Sequence, residues 1–461
     1  MNMAMYEFLV KHVFTPVVDF HRGANTLKRL KELEDTQWWP REKILTLQNE
    51  RLRKLVKYAH DNVPYYRGIF DRRALKPEDI VTSGDLVKLP ILTRQLVRSN
   101  FRDLSARGFP RKELMPCLTG GSTGEPLRFY KTRDDYHGWD TAAGLRAHKW
   151  AGYEVGEKLA LFWGRHPRLS IADSIARTTR HFLQRVVLFD ALTMSKQELP
   201  RFAKRLEGFE GGFIKGYPSA IYLAARYIEK EGKPPIRPRA IITTGEELYD
   251  FQRELFSRAF GCETYSYYST NEVDAIASEC PEHSGYHISA ENVIVEIVDD
   301  ADKPVPVGGE GRILVTSLHN YGMPFIRYEI GDIGVISDKA CPCGRGLPLL
   351  AAVNGRISDF IFTRRGDCIP GIALNRSFLA GLGVEQFQIV QENYDKVVIK
   401  LVFGRECERD HVNEAIKKIE RHFRSELGGD IDVVVELVDQ IVPSGIGKRR
   451  MFISNVKKVL P

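Results

Sequence analysis

Thr119-Gly120-Gly121-Ser122-Thr123-Gly124-Glu125-Pro126 is the stretch on which the reading of this chain turns. Three glycines and three hydroxyl residues fill its first six positions. Glycine removes side-chain obstruction, so such a loop can present backbone N–H groups and hydroxyls to phosphate oxygens. It is not a Walker A loop, because Glu125 and Pro126 follow Gly124 where that motif has Lys-Ser/Thr. A polar surface turn is the plain alternative. The segments around the loop favour an anion cradle.

Upstream, Leu45, Leu52, Leu55, Val56 and Ala59 recur at helical spacing from about Lys43 to Asn62, and Pro64 ends that segment. At the N-terminus, Met5, Leu9 and Val13, with Val10 and Phe14 beside them, fit one helical face that Pro16 ends or bends. Such a face docks on the body or lies on a membrane surface. Downstream, strand-like and helix-like runs alternate as far as about Asn354: IIT after Ala240, VIVEIV from Val293 and RILVTSL from Arg312 as strands, the runs from Ser219 and Asp250 as helices closed by Gly. This alternation predicts an α/β body. After GRISDF at Gly355 the texture changes to strand (Val397), helix (from about Asp410, ended by Gly428 and Gly429) and strand (Asp432), a small α+β domain with its own core. The expected domains are 1–354 and 355–461.

The chain has 461 residues, 43% hydrophobic and 28% charged, with a net charge of +7. That is ordinary globular composition. It excludes wholesale disorder, and no apolar run approaches the ~18 residues of a membrane span. The charge excess weakly favours anionic ligands, and no basic stripe with interleaved aromatics supports a nucleic-acid partner. Seven cysteines, an odd number, do not read as a secreted disulfide framework. With no basic n-region and no small-residue cleavage site at the start, a reduced cytoplasmic setting is expected.

Five further segments carry chemistry. Gly245 and Glu246 follow the strand IIT, where α/β sheets bind ligands. Tyr268 offers an aromatic face, and Glu272, four residues on, a carboxylate that can hold a divalent cation. Asp332 follows a Gly turn and can accept two hydrogen bonds from a ribose diol. Arg356 lies in the change of texture. Lys448 sits in a Pro443-Ser444-Gly445-Ile446-Gly447 loop, from which a lysine can swing onto an anionic transition state. Each alone is matched by a bland alternative: a strand-to-helix turn, a helix cap, a turn Asp, a solvated linker Arg, a solvated charge run.

Taken in order, with NVPYYR (Asn62 to Arg67) and LPILTR (Leu89 to Arg94) ahead of them, these segments resemble the adenylate-forming superfamily. The match is to its phenylacetate–CoA ligase-like branch, which includes proteins associated with capsular polysaccharide synthesis. The resemblance covers nearly the whole chain. It implies a large adenylate-forming body with a small mobile α+β C-terminal domain. It implies that Thr119, Gly120, Gly121, Ser122, Thr123 and Gly124 hold ATP phosphates, and that Gly245 and Glu246 line the adenine site with Tyr268 stacked near the base. Glu272 would hold Mg²⁺, Asp332 the ribose hydroxyls with Arg356 beside it, and Lys448 would be the mobile catalytic lysine. The implied reaction is ATP-dependent activation of a small-molecule carboxylate to an acyl-adenylate, then thioester formation with CoA. The alternatives are transfer to an amine or hydroxyl acceptor in polysaccharide biosynthesis and a catalytically inactive ATP-binding or scaffold protein.

Two positions depart from the family pattern. Asn271 stands where Ser or Thr usually precedes the metal-binding Glu, and Ser358 stands before Asp359 at the hinge, leaving either as pivot. Phe162, Trp163, Tyr217 and Tyr267 are candidate acyl-pocket residues or plain core. Cys280, Cys341 and Cys343 with one histidine can close a tetrahedral structural Zn²⁺ site. Free buried cysteines are the alternative. Spacing alone leaves His283 and His287 open, and the resemblance favours His287.

Overall fold

In the computed structural model, residues 3–119, 127–164, 178–191, 194, 198–354, 360–363, 368–370, 379, 382–403, 407–427, 431–441 and 452–456 are described. Strands β1 (Leu114–Leu118) and β2 (Arg128–Thr132) pair antiparallel on either side of the Gly/Ser/Thr loop. The Thr119 N–H donates to the Leu127 carbonyl at 3.0 Å, and the Leu127 N–H donates to Thr119 Oγ1 at 2.9 Å. The mouth of the loop is therefore fixed by the backbone on which it stands.

An 11-stranded sheet forms the body. Its strands are β3 (Leu159–Trp163), β4 (Val186–Asp190), β5 (Phe213–Gly216), β6 (Ala240–Thr244), β7 (Glu263–Tyr268), β8 (Ala277–Glu279), β9 (Tyr286–Ile288), β10 (Val293–Val298), β11 (Glu310–Ser317), β12 (Tyr328–Ser337) and β13 (Leu349–Asn354). They lie in the order β10-β11-β12-β13-β9-β8-β7-β6-β5-β3-β4. From β4 to β7 every pairing is parallel. From β7 to β10 every pairing is antiparallel. The parallel half is covered on both faces, which is why Ala240–Thr244 is buried throughout and reads as a continuous apolar run. Alternation splits its side chains between two cores. Ile214 and Ile241 meet Ala224, Ile228, Phe256 and Phe260 of the helices Pro218–Lys230 and Asp250–Phe260. Phe213 and Ile242 meet Leu30, Leu33, Ala143 and Ala147 of the helices Thr26–Thr36 and Asp140–Trp150. The antiparallel half packs on Leu52, Leu55, Val56, Ile69 and Phe70 of the helices Arg41–Asn62 and Pro64–Arg72. Pro64 does end the first of these, and it also opens the second, since a proline at the first helical position loses no hydrogen bond.

The C-terminal part is a separate α+β domain. A hairpin of β14 (Phe360–Phe362) and β15 (Cys368–Pro370) precedes a sheet of β16 (Val384–Asn393), β17 (Lys396–Phe403), β18 (Asp432–Leu437) and β19 (Phe452–Ser454), ordered β18-β17-β16-β19. The helix Arg409–Leu427 makes the crossover between the parallel strands β17 and β18. Its Ile419, Phe423 and Leu427 close a core with Val397, Ile399, Leu401 and Val433.

The N-terminal segment departs from its expected form. Pro16 does not end the helix. Met3–Leu9 passes through a wide π turn, Val10–Phe14, into a second helix, Thr15–Arg22, in whose first turn Pro16 is accommodated. The wide turn adds one residue, about 100° of rotation, so a single apolar face cannot run through it. Val10 is buried, while Met5, Phe8, Val13, Val17 and Phe20 are exposed. Among the described residues no helix is long and apolar enough to cross a membrane.

Candidate active site

The site begins at the mouth of the Gly/Ser/Thr loop. The LPILTR segment runs beside the start of β12, with the Leu92 N–H donating to the Arg327 carbonyl and the Glu329 N–H to the Leu92 carbonyl, each at 3.0 Å. Thr93 then caps a short helix by accepting from the Leu96 N–H, which places Arg94 at its first position. From there the Arg94 guanidinium donates to Thr119 Oγ1 at 3.4 Å and to Glu272 Oε1 at 3.2 Å. Glu272 is presented by a tight turn after β7, in which Thr270 Oγ1 accepts from the Val273 N–H at 3.0 Å. The Tyr328 hydroxyl donates to the same Oε1 at 2.9 Å. Burial and the neighbouring Glu272 carboxylate push the Tyr328 hydroxyl well above its ordinary range, so it stays a donor. Glu272 is 7% exposed, and its Oε2 takes no hydrogen bond among the described residues. Asn271, beside it, donates to the Leu118 carbonyl at 3.4 Å, a second link to the loop mouth.

One residue before this turn, Tyr268 ends β7 and donates its hydroxyl to Asp332 Oδ2 at 2.9 Å. Asp332 lies on β12 directly after Gly331, whose φ of +84° is one that L side chains rarely adopt. Tyr268 thus joins the end of the parallel sheet to the long antiparallel strand. After β6, Gly245 has φ +81°, and a Cβ there would come within 2.8 Å of the Tyr217 ring. That ring is stacked on Trp163 at 4.5 Å between centroids. The Glu246 carboxylate accepts from the Ser219 N–H at 3.0 Å and the Ser219 hydroxyl at 2.8 Å, at the start of the helix Pro218–Lys230. Even so, burial keeps its pKa above the ordinary carboxylate value. Burial alone pushes the next carboxyl, Glu247, up to about 7. Trp163, Tyr217, Gly245, Glu246 and Tyr268 therefore gather at the carboxyl ends of β3, β5, β6 and β7, where open α/β sheets bind ligands.

The structure brings together Thr119, Glu272, Tyr268, Asp332, Gly245 and Glu246 at one end of the sheet. Gly120, Gly121, Ser122, Thr123, Gly124, Arg356 and Lys448, with Ser358 and Asp359, lie outside the described residues. Two residues escaped the sequence reading. Arg94 ends the LPILTR segment and Tyr328 stands four positions before Asp332, and neither was given a role. The available signal was their polarity at the ends of otherwise apolar runs.

A second cluster lies further along the antiparallel half. Cys280 follows β8, His287 is on β9, and Cys341 and Cys343 precede β13. Their ligand atoms all lie within 4.8 Å of one another. Cys280 Sγ is 3.6 Å from Cys341 Sγ, and Cys343 Sγ is 3.3 Å from His287 Nε2. A disulfide has its sulfurs about 2.05 Å apart. Around a tetrahedral Zn²⁺ with Zn–S of about 2.3 Å, sulfurs stand about 3.8 Å apart. Donor set and spacing both fit a closed zinc site. His283 points elsewhere, its Nδ1 3.4 Å from Glu279.

A model of the CapK C-terminal domain matches residues 361–455. Over 349 residues the chain is 26% identical to a phenylacetate-coenzyme A ligase of Thermus thermophilus, covering 72% of this chain and 74% of that one. Over 457 residues it is 23% identical to Protein CapK of Staphylococcus aureus, covering 94% and 92%. The structure of 2-hydroxyisobutyryl-CoA ligase in complex with 2-HIB-AMP and CoA matches the fold with a TM-score of 0.65 at 19% identity, over 91% of this chain and 92% of that one. The chain thus resembles phenylacetate-coenzyme A ligases and Protein CapK in sequence, and its large sheet body with a separate C-terminal domain has the fold of 2-hydroxyisobutyryl-CoA ligase.

Proposed function

We propose that this protein is an AMP-forming acid–thiol ligase. A carboxylate oxygen attacks the α-phosphorus of ATP, the bond to the bridging oxygen breaks, and pyrophosphate leaves an acyl-adenylate. The sulfur of CoA then attacks the acyl carbon, its proton is lost, and AMP departs with the electron pair of the C–O bond. The observation that carries this reading is the chain Thr119–Arg94–Glu272–Tyr328. It ties the mouth of a hydroxyl-rich loop to a carboxylate with one oxygen left unbonded among the described residues. The loop residues Gly120 to Gly124 would hold the phosphates, and Glu272 would hold Mg²⁺, which supplies charge neutralisation on the phosphates when bound. Arg94 and Tyr328 position that carboxylate. Asp332, oriented by Tyr268, would take the ribose hydroxyls, and Gly245 and Glu246 would line the adenine site. Lys448 would meet the charge that develops as pyrophosphate leaves, and it would withdraw as the C-terminal domain turns about residues 355–359 between the half-reactions, with Arg356 beside the ribose. Domains of 1–354 and 355–461 follow from that hinge.

The test is carboxylate-dependent ATP–pyrophosphate exchange across an acid library, with Lys448→Ala as control. Exchange unchanged in that variant overturns the role of Lys448. Product analysis with and without CoA separates thioester formation from transfer to an amine or hydroxyl acceptor in polysaccharide biosynthesis. The likeness to Protein CapK fits that second reading only weakly.

Cys280, His287, Cys341 and Cys343 would hold a structural Zn²⁺, and metal analysis of chelator-free protein at about one zinc per chain is the expected result. We place the protein in the cytoplasm, with peripheral membrane contact through the exposed Met5, Phe8, Val17 and Phe20. Equal liposome flotation of full-length and N-terminally truncated protein removes the membrane contact.

A further inference from the structure

Side chains alternate along a strand, so Tyr267 turns away from Tyr268 and toward the helix Asp140–Trp150. On that face Tyr267 donates its hydroxyl to Asp274 Oδ1 at 2.9 Å, and the same oxygen accepts from the Ala275 N–H at 2.9 Å. Lys215 of β5 reaches the same place. Its Nζ lies 2.9 Å from His148 Nε2 and 5.1 Å from the centre of the Tyr267 ring. Burial, with the Lys215 ammonium beside it, holds His148 well below its ordinary pKa, so its ring is neutral and Nε2 is the acceptor. Asp140 and Asp135 are the other carboxylates close by; Asp140 is taken by Lys131 at 2.5 Å, and Lys131 also feels the charges of Asp135 and Asp274.

Lys215 lies deep in the body, and burial pushes its ammonium down to about 8. Its side chain and that of Asp274 are nevertheless only partly covered. Both stand close in the chain to residues of the candidate site, Lys215 two positions before Tyr217 and Asp274 two positions after Glu272. Lys215 has no carboxylate within 4.0 Å among the described residues, and Asp274 Oδ2 takes no hydrogen bond among them. Opposite charges at low dielectric attract strongly. His148 and Tyr267 stand between this pair, which leaves a donor and an acceptor on one face of the sheet, each with bonding capacity to spare.

We infer that Lys215 and Asp274 together select the acid. The substrate is a carboxylic acid with a hydroxyl or carboxamide substituent away from the reacting carboxylate, its oxygen accepting from Lys215 and its hydrogen donated to Asp274. This rests on the acid-activating reading above. A purely apolar acid such as phenylacetate leaves both charges stripped of water without a partner, and a site built to bond a substituent rejects the analogue that lacks it.

The experiment is pyrophosphate exchange by the full chain with hydroxy acids (lactate, 3-hydroxybutyrate, glucuronate) and N-acylated amino acids against phenylacetate, benzoate and hexanoate. At least one polar acid should exceed every apolar acid in kcat/KM by about tenfold or more. Lys215→Met and Asp274→Asn should each raise the KM for that acid about tenfold while the KM for ATP stays put. An apolar acid used as well as the polar ones, or variants with an unchanged acid KM, overturns the inference and leaves the ligase reading standing. No exchange with any acid overturns both. If Lys215→Met does not fold, the isosteric Asp274→Asn and the wild-type selectivity decide.

Discussion

Glu272→Gln separates holding a metal from holding the fold. In the free protein Glu272 accepts from Arg94 at 3.2 Å and Tyr328 at 2.9 Å, both on Oε1. A glutamine carbonyl can accept both bonds in the same place, so the variant loses only the charge component. Hydrogen bonds to charged groups contribute about 1.5–3 kcal/mol and neutral ones about 0.5–1.5, a difference of about 1 kcal/mol for the Arg94 contact. For a chain this long that is a fall in Tm of about 2–3 °C. Alanine would be a poorer probe, because it would strand the buried Tyr328 hydroxyl and the Arg94 guanidinium. The catalytic cost is different in kind. A neutral amide is a weak Mg²⁺ ligand, and losing one preorganised stabiliser of transition-state charge costs about 2.7–4 kcal/mol, or 10²–10³ in rate. Pyrophosphate exchange at saturating acid should therefore fall by at least about a hundredfold, and the Mg²⁺ concentration for half-maximal rate should rise. Thermal unfolding measured in parallel should show only the small shift. Exchange within about threefold of wild type, less than 1 kcal/mol by transition-state arithmetic, would refute a metal-holding role. A loss of rate that follows the loss of Tm would reduce Glu272 to a fold residue.

Asp332→Asn should raise the KM for ATP about tenfold and remove most of the preference for ATP over 2′- and 3′-deoxy-ATP, read by exchange kinetics with each nucleotide; an unaltered preference places the ribose elsewhere. Cys341→Ser should drop bound zinc to near zero per chain by metal analysis and lower the Tm by several degrees, and full zinc retention would show that this sulfur is not a ligand. Glu247 carries a pH signature. Burial raises its carboxyl to about 7 in the folded state, so the folded protein holds the proton more tightly than the unfolded chain. Its contribution is fully present below the unfolded carboxylate value and lost as pH rises to about 7. Between pH 5 and 8 the wild-type Tm should fall more than that of Glu247→Gln, and parallel Tm-against-pH curves would contradict this.

What was legible in the chain was what local pattern controls. The strands from Ala240, Val293 and Arg312 and the helices from Ser219 and Asp250 follow from periodicity and glycine stops, and they stand within a residue or two of where the pattern puts them. The boundary between body and C-terminal domain shows as a change of texture because each part closes its own core. The three cysteines of the metal-type cluster were legible, and the resemblance picked His287, but why they meet needed the fold. Cys280 and Cys341 are 61 positions apart, and only the pairing of β8 with β9 and of β9 with β13 brings His287 and the Cys341–Cys343 turn beside Cys280. Arg94 and Tyr328 were hidden for the same reason, being 178 and 56 positions from the carboxylate they hold. The N-terminal face failed because a π turn breaks a 3.6-residue count, and nothing in the local sequence announces one.

The segment 267–280 links the Cys/His cluster to a site it does not touch. Tyr267 faces the helix Asp140–Trp150, Tyr268 binds Asp332, Glu272 meets the loop mouth, Asp274 takes the Tyr267 hydroxyl, and Cys280 ends the run in the cluster. The sheet changes from parallel to antiparallel within this run, through only two paired positions, Tyr267 with Ser278 and Tyr268 with Ala277. So short a ladder fixes its register poorly, and a slip of one residue would exchange the faces of Tyr267 and Tyr268. β8 is held on its far side by three pairings to β9, and Cys280 lies directly after it. A tetrahedral ion binding Cys280 to His287 and to the Cys341–Cys343 turn would fix that register from outside the active site. Removing the cluster should therefore impair use of the acid and of the ribose together, through Asp274 and Asp332, before the body unfolds. A Cys341→Ser protein that keeps its far-ultraviolet circular dichroism while the KM values for acid and ATP both rise would support this coupling, and unchanged KM values in zinc-free protein would dissolve it.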